Sequence, residues 1–199
     1  MPVTLLIIGL FVFLGTHAFS MARHRRGKLV AKIGEGPYKG LYSLASLAGI
    51  VLISIGYSQY RQAGYIPVWD PPTWTRHLAL LLVWFAFVCL AAAYLPGRIK
   101  RTLKHPMLAG LKIWAVAHLL ANGDLGSILL FGSFLAWAVA ARISVKRRDE
   151  AVPHGAPLEP PAGFRNDALA IAIGTVAYIA FVVWLHPALI GVPVLPARG

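Results

Sequence analysis

The chain has 199 residues, a length that allows one compact domain. Hydrophobic residues make up 58% of it and charged residues only 13%, against about 25% charged in a soluble domain, so an ordinary soluble globular protein is excluded. The formal net charge of +12 would suggest nucleic acid in a soluble protein, but the basic residues fall in loops between apolar segments, so we expect membrane lipids, and no nucleic acid, as their partners.

The apolar residues form six segments, so we predict an all-α fold: a polytopic transmembrane bundle of about six helices within a single domain, 1–199. A membrane span needs about 20 residues, and most of the segments fit with modest tilt or a few flanking residues. The fourth is short. The segments cover approximately residues 3–20, 41–57, 78–95, 107–121, 125–141 and 168–186.

The fourth and fifth segments are separated only by Asn122-Gly123-Asp124, which predicts a tight turn and a close antiparallel helical hairpin. Gly123 is expected to adopt a backbone conformation that a β-branched residue resists. Asp124 is expected to cap the fifth helix rather than to donate a proton. Further along, the proline-rich stretch 152–164 is predicted to be an extended cytoplasmic linker, with Asn166-Asp167 as the N-cap of the last helix.

Lysine and arginine are distributed unequally between the loops on the two sides of the predicted bundle. Fifteen fall in or beside the loops after the first, third and fifth segments, and three (Arg61, Arg76 and Arg198) fall on the opposite side. Because cytoplasmic loops carry the excess of Lys and Arg, both termini are predicted to be periplasmic in a bacterial inner membrane.

Two histidines, His17 and His118, lie inside apolar segments. An imidazole within a bilayer-length apolar stretch is costly without a partner, so each is a candidate functional residue. Two interpretations remain open at this point: a metal or metallocofactor held between two helices, or a hydrogen bond to a neighbouring helix. The other histidines fall in loops or at helix ends, where solvation is the simpler interpretation: His24, His77, His105, His154 and His186.

The residues near this pair favour haem b over zinc. Zinc requires a closed set of ligands, whereas Cys89 is the only cysteine and Asp124 the only acidic residue near an intramembrane position. Haem requires only one or two axial ligands and has a large apolar ring. His17 and His118 are expected to differ in depth along the membrane normal by on the order of 9 Å, counted at 1.5 Å per residue from the start of each helix. Candidate ring walls are Phe13, Trp114, Phe131, Phe134 and Trp137, and candidate hydrogen-bond partners of the imidazoles are Thr16, Ser127 and Ser133.

A long central string strongly resembles the NnrU family of bacterial membrane proteins. It comprises Lys104-His105-Pro106-Met107, the run from Trp114 to Asp124, Ser127 and Leu130-Phe131-Gly132. Gly15-Thr16-His17 with Arg25-Arg26, and the run from Gly36 to Ser43, are similar to that family too. The resemblance covers nearly the whole chain and implies a single NnrU-type transmembrane domain associated with denitrification and nitric oxide metabolism.

That family is also similar to plant zeta-carotene isomerase, a haem b enzyme of plastid membranes. The resemblance implies His17 and His118 as axial ligands of the haem iron. It also implies a cysteine three residues before the second histidine as an exchangeable ligand, and this chain has Ala115 there. Haem binding is therefore expected to carry over, while isomerase-like redox chemistry is put in doubt.

Two alternatives compete with a haem protein. His105-Pro106-Met107 after a basic residue, with Phe131-Gly132 near a basic end, is similar to small membrane methyltransferases that use S-adenosylmethionine, although the carboxylate pair of those enzymes is missing. The third possibility is a non-catalytic membrane factor for assembly of nitric oxide reductase. A hydrophobic small-molecule substrate or a redox partner fits the haem interpretation, and we predict no particular catalytic residue.

The predicted topology can be tested with reporter fusions placed after Gly199. Because the basic loops belong in the cytoplasm, we expect a fused periplasmic enzyme to be active and a fused cytoplasmic fluorophore to be dark. A fusion in the linker 152–164 is the control and should give the opposite pattern. The reverse result at both sites would contradict the orientation.

Overall fold

The computed structural model describes residues 3–150 and 163–195, and all regular secondary structure within them is helical. The all-α prediction is confirmed, whereas all but the last two residues of the predicted linker lie outside the described part. The helices are α1 Thr4–Met21, α2 Arg23–Ile33, α3 Glu35–Gln62, α4 Thr73–Tyr94, α5 Arg98–Leu103, α6 Pro106–Ala121, α7 Leu125–Glu150, α8 Phe164–Ala180 and, after a π-helical turn Phe181–Leu185, α9 His186–Ile190.

Every predicted apolar segment lies in a helix, and five of the resulting helical stretches are long and apolar enough to cross a membrane. The exception is α6, whose 16 residues span about 24 Å against a hydrocarbon core of about 30 Å. Large apolar side chains cover the outer surfaces, as with Phe11, which is 80% exposed, and Val176, which is 69% exposed. Such surfaces suit lipid rather than water, so the chain is a multi-pass membrane protein.

Two basic stretches predicted as loops are helices instead. These are α2, between the first two apolar segments, and α5, between the third and fourth. In α2 the apolar residues Leu29, Val30 and Ile33 are half-buried while its basic residues are exposed. The dense positive charge concealed this short amphipathic pattern, which spans only three turns.

The chain forms two compact units, each built from two stretches of sequence. Unit 1 comprises Met1–Pro72 and His118–Val152, and unit 2 comprises Thr73–Ala117 and Pro153–Gly199. The boundary falls within α6, whose last turn belongs to unit 1. Both candidate histidines therefore belong to unit 1.

In unit 1, α1 packs antiparallel against α3 at very short range. A Cβ atom added to Gly9 would lie 2.5 Å from the backbone nitrogen of Ile53, and one added to Gly49 would lie 2.7 Å from that of Phe13. A Cβ atom at Gly56 would overlap the backbone of Leu6. Small residues at a helix interface permit this approach, which is the main source of helix association in a membrane.

In unit 2, α4 packs against α8 in the same way. A Cβ atom added to Gly174 would lie 2.7 Å from the Cα atom of Val88. Beside this contact, the indole N–H of Trp84 donates to the hydroxyl of Thr175 at 2.9 Å. One close approach and one polar bond therefore align the two helices.

The predicted N-cap of the last helix is wrong. Helix α8 begins at Phe164, and Asp167 lies buried in its first turn. The Asp167 carboxylate accepts a hydrogen bond from the backbone N–H of Ile99, in the first turn of α5, at 3.0 Å. It therefore satisfies an unpaired N–H group at the start of another helix, a partner 68 residues away that a local capping rule cannot detect.

Substitution of Gly56 tests the close packing of unit 1. We expect Gly56→Val to lower the free energy of unfolding by roughly 2 kcal/mol or more, because a β-branched side chain cannot fit against the α1 backbone. Thermal unfolding of the purified protein in detergent measures the change. Gly40→Val on the same helix is the matched control, since a Cβ atom there meets nothing within 4 Å. Equal loss in both variants would contradict the packing role.

Candidate functional site

His17 lies one turn before the end of α1 and is half-buried. Its Nδ1 atom is 2.8 Å from the backbone carbonyl oxygen of Phe13, one helical turn earlier. Because a carbonyl oxygen only accepts, Nδ1 must carry the proton and donate it, which leaves the lone pair on Nε2. A metal-binding imidazole is oriented by this kind of bond from its other nitrogen.

Aromatic rings from three helices surround the His17 imidazole. The ring centroid of Phe13 lies 4.3 Å away, that of Tyr42 on α3 lies 5.3 Å away, and that of Trp137 on α7 lies 5.7 Å away in an edge-on arrangement. The rings enclose part of the half-buried imidazole and limit its rotation. His17 therefore presents an oriented nitrogen donor in an apolar setting.

His118 lies in the last turn of α6 and is also half-buried. Its ring stacks on Phe131 of α7 with the centroids 4.4 Å apart and the planes 28° from parallel. The backbone carbonyl of His118 accepts two hydrogen bonds from Asn122, one from the backbone N–H and one from the side-chain amide. Asn122, the first residue after α6, thus stabilises the C-terminal end of this helix.

Helix α7 contacts both histidines, but at different levels. Phe131, which contacts His118, and Trp137, which contacts His17, are six residues apart, or about 9 Å along the helix. Phe134 lies between them and packs against Phe13 with ring centroids 5.6 Å apart. Four of the five predicted wall residues therefore lie in unit 1 beside the histidines, while Trp114 lies in the part of α6 that belongs to unit 2.

An open groove of about 470 Å³ runs between α1 and α7. Its walls are mostly apolar, and Gly15, Ser133 and Trp137 also line it. The indole Nε1 of Trp137 is buried and has no hydrogen-bond partner among the described residues. Neither His17 nor His118 lines the groove, but its Trp137 wall places a hydrogen-bond donor next to His17.

For His17, none of the three predicted hydrogen-bond partners holds the ring. The Thr16 hydroxyl donates to the backbone of Val12 at 2.7 Å, and the Ser127 hydroxyl lies 2.7 Å from that of Tyr57. Ser133 lines the groove between α1 and α7. The actual acceptor is a backbone carbonyl, which has no residue-type signature in a sequence.

Within residues 3–150 and 163–195, no three or more His, Cys, Asp or Glu residues are grouped to hold a metal ion. Cys89 is buried on α4 as a free thiol. A closed zinc site is therefore absent from the described part, whereas a haem site needs only one or two donors.

The other histidines have varied surroundings. His24 and His77 are exposed, and His105 is half-buried at the start of α6. His186 in unit 2 places Nδ1 2.8 Å from the backbone oxygen of Val192. His154 lies outside the described residues. Among the described histidines, only His17 and His118 lie both in unit 1 and in apolar helices.

The turn between α6 and α7 is tied to the loop after α3. Gly123 accepts hydrogen bonds from the backbone N–H groups of Val68 and Trp69 at 2.9 and 3.0 Å, and Leu125 donates to Ile66 at 2.9 Å. These loops were predicted to lie on the same face of the membrane, and their pairing agrees with that assignment.

Asp124 caps α7 as predicted, because its carboxylate accepts a hydrogen bond from the Ser127 N–H at 2.9 Å. The reason predicted for glycine at 123 is wrong: the described glycines with positive φ are Gly34, Gly64 and Gly191. Instead, a Cβ atom at Gly123 would overlap the carbonyl oxygen of Trp69. Glycine is required there by close approach and not by an unusual backbone angle.

Two tyrosines on α3 were missed by the sequence analysis. The Tyr57 hydroxyl bonds the fully buried Ser127, and the fully buried Tyr60 accepts a hydrogen bond from the Ile66 N–H at 3.0 Å. The Tyr60 ring also occupies the space that a side chain at Gly126 would need. The sequence pattern that indicated them was a pair of tyrosines three residues apart near the end of an apolar segment, because a buried tyrosine hydroxyl needs a polar partner.

The fold and the site together define a polytopic α-helical membrane protein with two histidines in one helical unit. The profile of one family, described as NnrU protein, matches residues 5–194. The chain therefore belongs to the NnrU family. No curated protein and no solved structure matches it significantly.

Two substitutions at Asp124 separate a capping role from proton donation. We expect Asp124→Asn to preserve the free energy of unfolding within a few tenths of a kcal/mol, because asparagine caps as well as aspartate, and Asp124→Ala to lower it by about 1 kcal/mol. Thermal unfolding in detergent measures both. If Asp124→Asn abolished a cellular phenotype of the protein with its stability intact, the carboxylate would have a chemical role.

Proposed function

We propose that this NnrU-family protein binds haem b, with His17 and His118 as axial ligands of the iron. The observation that carries the proposal is the state of His17. Its Nδ1 atom donates to the Phe13 carbonyl, so the lone pair on Nε2 is the one available to a metal.

The surroundings of the pair support a large apolar ligand. Phe13, Tyr42 and Trp137 contact His17, and Phe131 contacts His118. The groove between α1 and α7 has mostly apolar walls and an unpaired indole N–H at Trp137. When bound, haem supplies one-electron redox chemistry and an iron site that can bind small diatomic molecules. The chain's own residues orient the His17 ring through the Phe13 carbonyl and place aromatic rings against both imidazoles.

The two histidines need not contribute equally to this site. Their aromatic contacts on α7 lie about 9 Å apart along the helix axis, nearly two turns. His17 has the oriented donor atom, so we assign it the larger contribution to haem retention.

We infer that the protein acts in nitric oxide metabolism linked to denitrification, as expected from its family, in the bacterial inner membrane with both termini periplasmic. A hydrophobic small molecule or a redox partner would be its counterpart. The proposal excludes exchange with a thiolate ligand at position 115, because Ala115 is fully buried and has no donor atom. Isomerase-like chemistry would need a different ligand arrangement.

The methyltransferase alternative has less support. Asp124 caps α7 and Gly123 is bonded to the loop after α3, so this turn has a structural role. A carboxylate pair is also missing from the sequence near it. Calorimetric titration with S-adenosylmethionine distinguishes that alternative, and an assembly factor would bind neither cofactor.

Haem binding is tested on protein purified from haem-replete cells, by a pyridine haemochrome assay and an absorbance spectrum. We expect a Soret band, and we expect His17→Ala to lower haem content the most. His118→Ala should retain more haem and convert a six-coordinate, low-spin spectrum to a five-coordinate one, because His17, the ligand assigned the larger contribution, remains. His24→Ala, on the exposed helix α2, is the matched control and should change neither.

Ala115→Cys tests the comparison with the isomerase, since a thiolate that competes for ferric iron should shift the Soret band. Purification without haem from replete cells, or unchanged spectra in both histidine variants, would contradict the proposal. The two histidines would then have a structural role.

A further inference from the structure

Helix α2 has the largest net positive charge of any helix in the described part of the chain. Its 11 residues include five Lys and Arg residues and no acidic residue, and every one of those cationic side chains is exposed. Leu29, Val30 and Ile33 are half-buried and share one face with Arg26, at the i, i+3, i+4 and i+7 positions of a helix. A short, strongly basic helix with a partly buried apolar stripe, placed directly after a membrane span, is typical of an element in the plane of the lipid headgroups.

Beside this helix lies a second open groove, of about 330 Å³, formed by residues of α1, α2 and α3. Phe19, Leu29 and Leu41 supply apolar lining, and Tyr38 and Tyr42 add hydroxyl groups. The groove therefore combines an apolar channel with a cationic helix at its edge. An acyl chain bearing an anionic headgroup has the matching distribution of properties.

Tyr38 gives the groove a specific polar atom. The side chain is only 7% exposed, and its hydroxyl has no hydrogen-bond partner among the described residues. The guanidinium carbon of Arg26 lies 5.5 Å from the centre of the Tyr38 ring. A buried, unpartnered hydroxyl is unfavourable unless an external acceptor reaches it, and here a cation lies over the ring that carries the hydroxyl.

The nearest acidic residue in sequence, Glu35, is partnered mainly by Lys39, and Arg26 also lies close enough to attract its carboxylate. Its carboxylate is paired with Lys39 at 2.8 Å, and both side chains are largely exposed. The local charge of α2 and the start of α3 therefore remains strongly positive. Charge complementarity selects an anionic ligand over a zwitterionic one.

We propose that the groove between α1, α2 and α3 binds an anionic phospholipid of the leaflet that faces α2. One acyl chain lies along the apolar lining, and the phosphate is held by Arg26 and the Tyr38 hydroxyl. This proposal does not depend on haem binding, because it uses neither His17 nor His118 as a ligand, although Gly15 lines both grooves and Tyr42 also contacts His17. It goes beyond general lipid contact, since it assigns a headgroup charge and two recognising side chains.

The site is tested on full-length protein by native mass spectrometry, with phosphatidylglycerol and phosphatidylcholine of the same chain length added separately. We expect phosphatidylglycerol to bind at least about tenfold more tightly, because several cations face the headgroup. Tyr38→Phe keeps the ring but removes the hydroxyl, and should weaken phosphatidylglycerol about tenfold. Because the hydroxyl has no partner among the described residues, this variant should unfold at the same temperature as the parent or a higher one.

Arg26→Gln should weaken phosphatidylglycerol about fivefold, since one cation near the membrane surface is lost. Arg101→Gln is its matched control: it removes the same charge from α5, in the other unit, and should leave binding unchanged. Glycerol phosphate, added alone and in competition, distinguishes a lipid from a free phosphate and should not displace phosphatidylglycerol. Equal binding of the two lipids, equal effects of Arg26→Gln and Arg101→Gln, or displacement by glycerol phosphate would each overturn the proposal.

Discussion

Within a bilayer, apolar side chains gain little by exchanging lipid for protein, so helices associate where their backbones can come close. In unit 1 this approach occurs at Gly9, Gly49 and Gly56, which align α1 against α3. The backbone of Phe13 lies directly against Gly49, and the carbonyl of the same residue holds the His17 ring. The orientation of a candidate ligand thus depends on a residue without a side chain on the neighbouring helix.

Several polar side chains of the helices form hydrogen bonds with residues of other helices. Trp84 bonds Thr175, Tyr57 bonds Ser127, and Asp167 receives the Ile99 N–H, each joining segments far apart in sequence. Such bonds add modest stability in a membrane but specify which helices are neighbours. Among the described residues, buried polar atoms of Tyr38, Ser46, Trp137 and Arg142 have no hydrogen-bond partner, and of these side chains Tyr38 and Trp137 each line a groove.

Hydropathy was sufficient to locate every long helix, because a bilayer constrains spans to apolar runs of known length. The N-cap preference located Asp124, since a capping side chain bonds a backbone N–H only three residues away. Neither pattern could locate α2, whose apolar face is small, or the role of Asp167, whose partner is distant in sequence. At the candidate site, residue type alone identified His17 and His118. The Phe13 carbonyl and the Tyr42 ring beside His17 depend on helix packing that no local pattern encodes.

The interleaving of the two units has a consequence for how the protein is made. Unit 2 begins with α4 but is completed only by α8, after the ribosome has synthesised α7, which belongs to unit 1. Trp84 precedes its partner Thr175 by 91 residues, which corresponds to about 5–20 s of translation. During that interval the indole N–H and the surface around Val88 must be accommodated by lipid, water or the insertion machinery. During membrane insertion, α4 therefore remains without its packing partner until α8 has been synthesised.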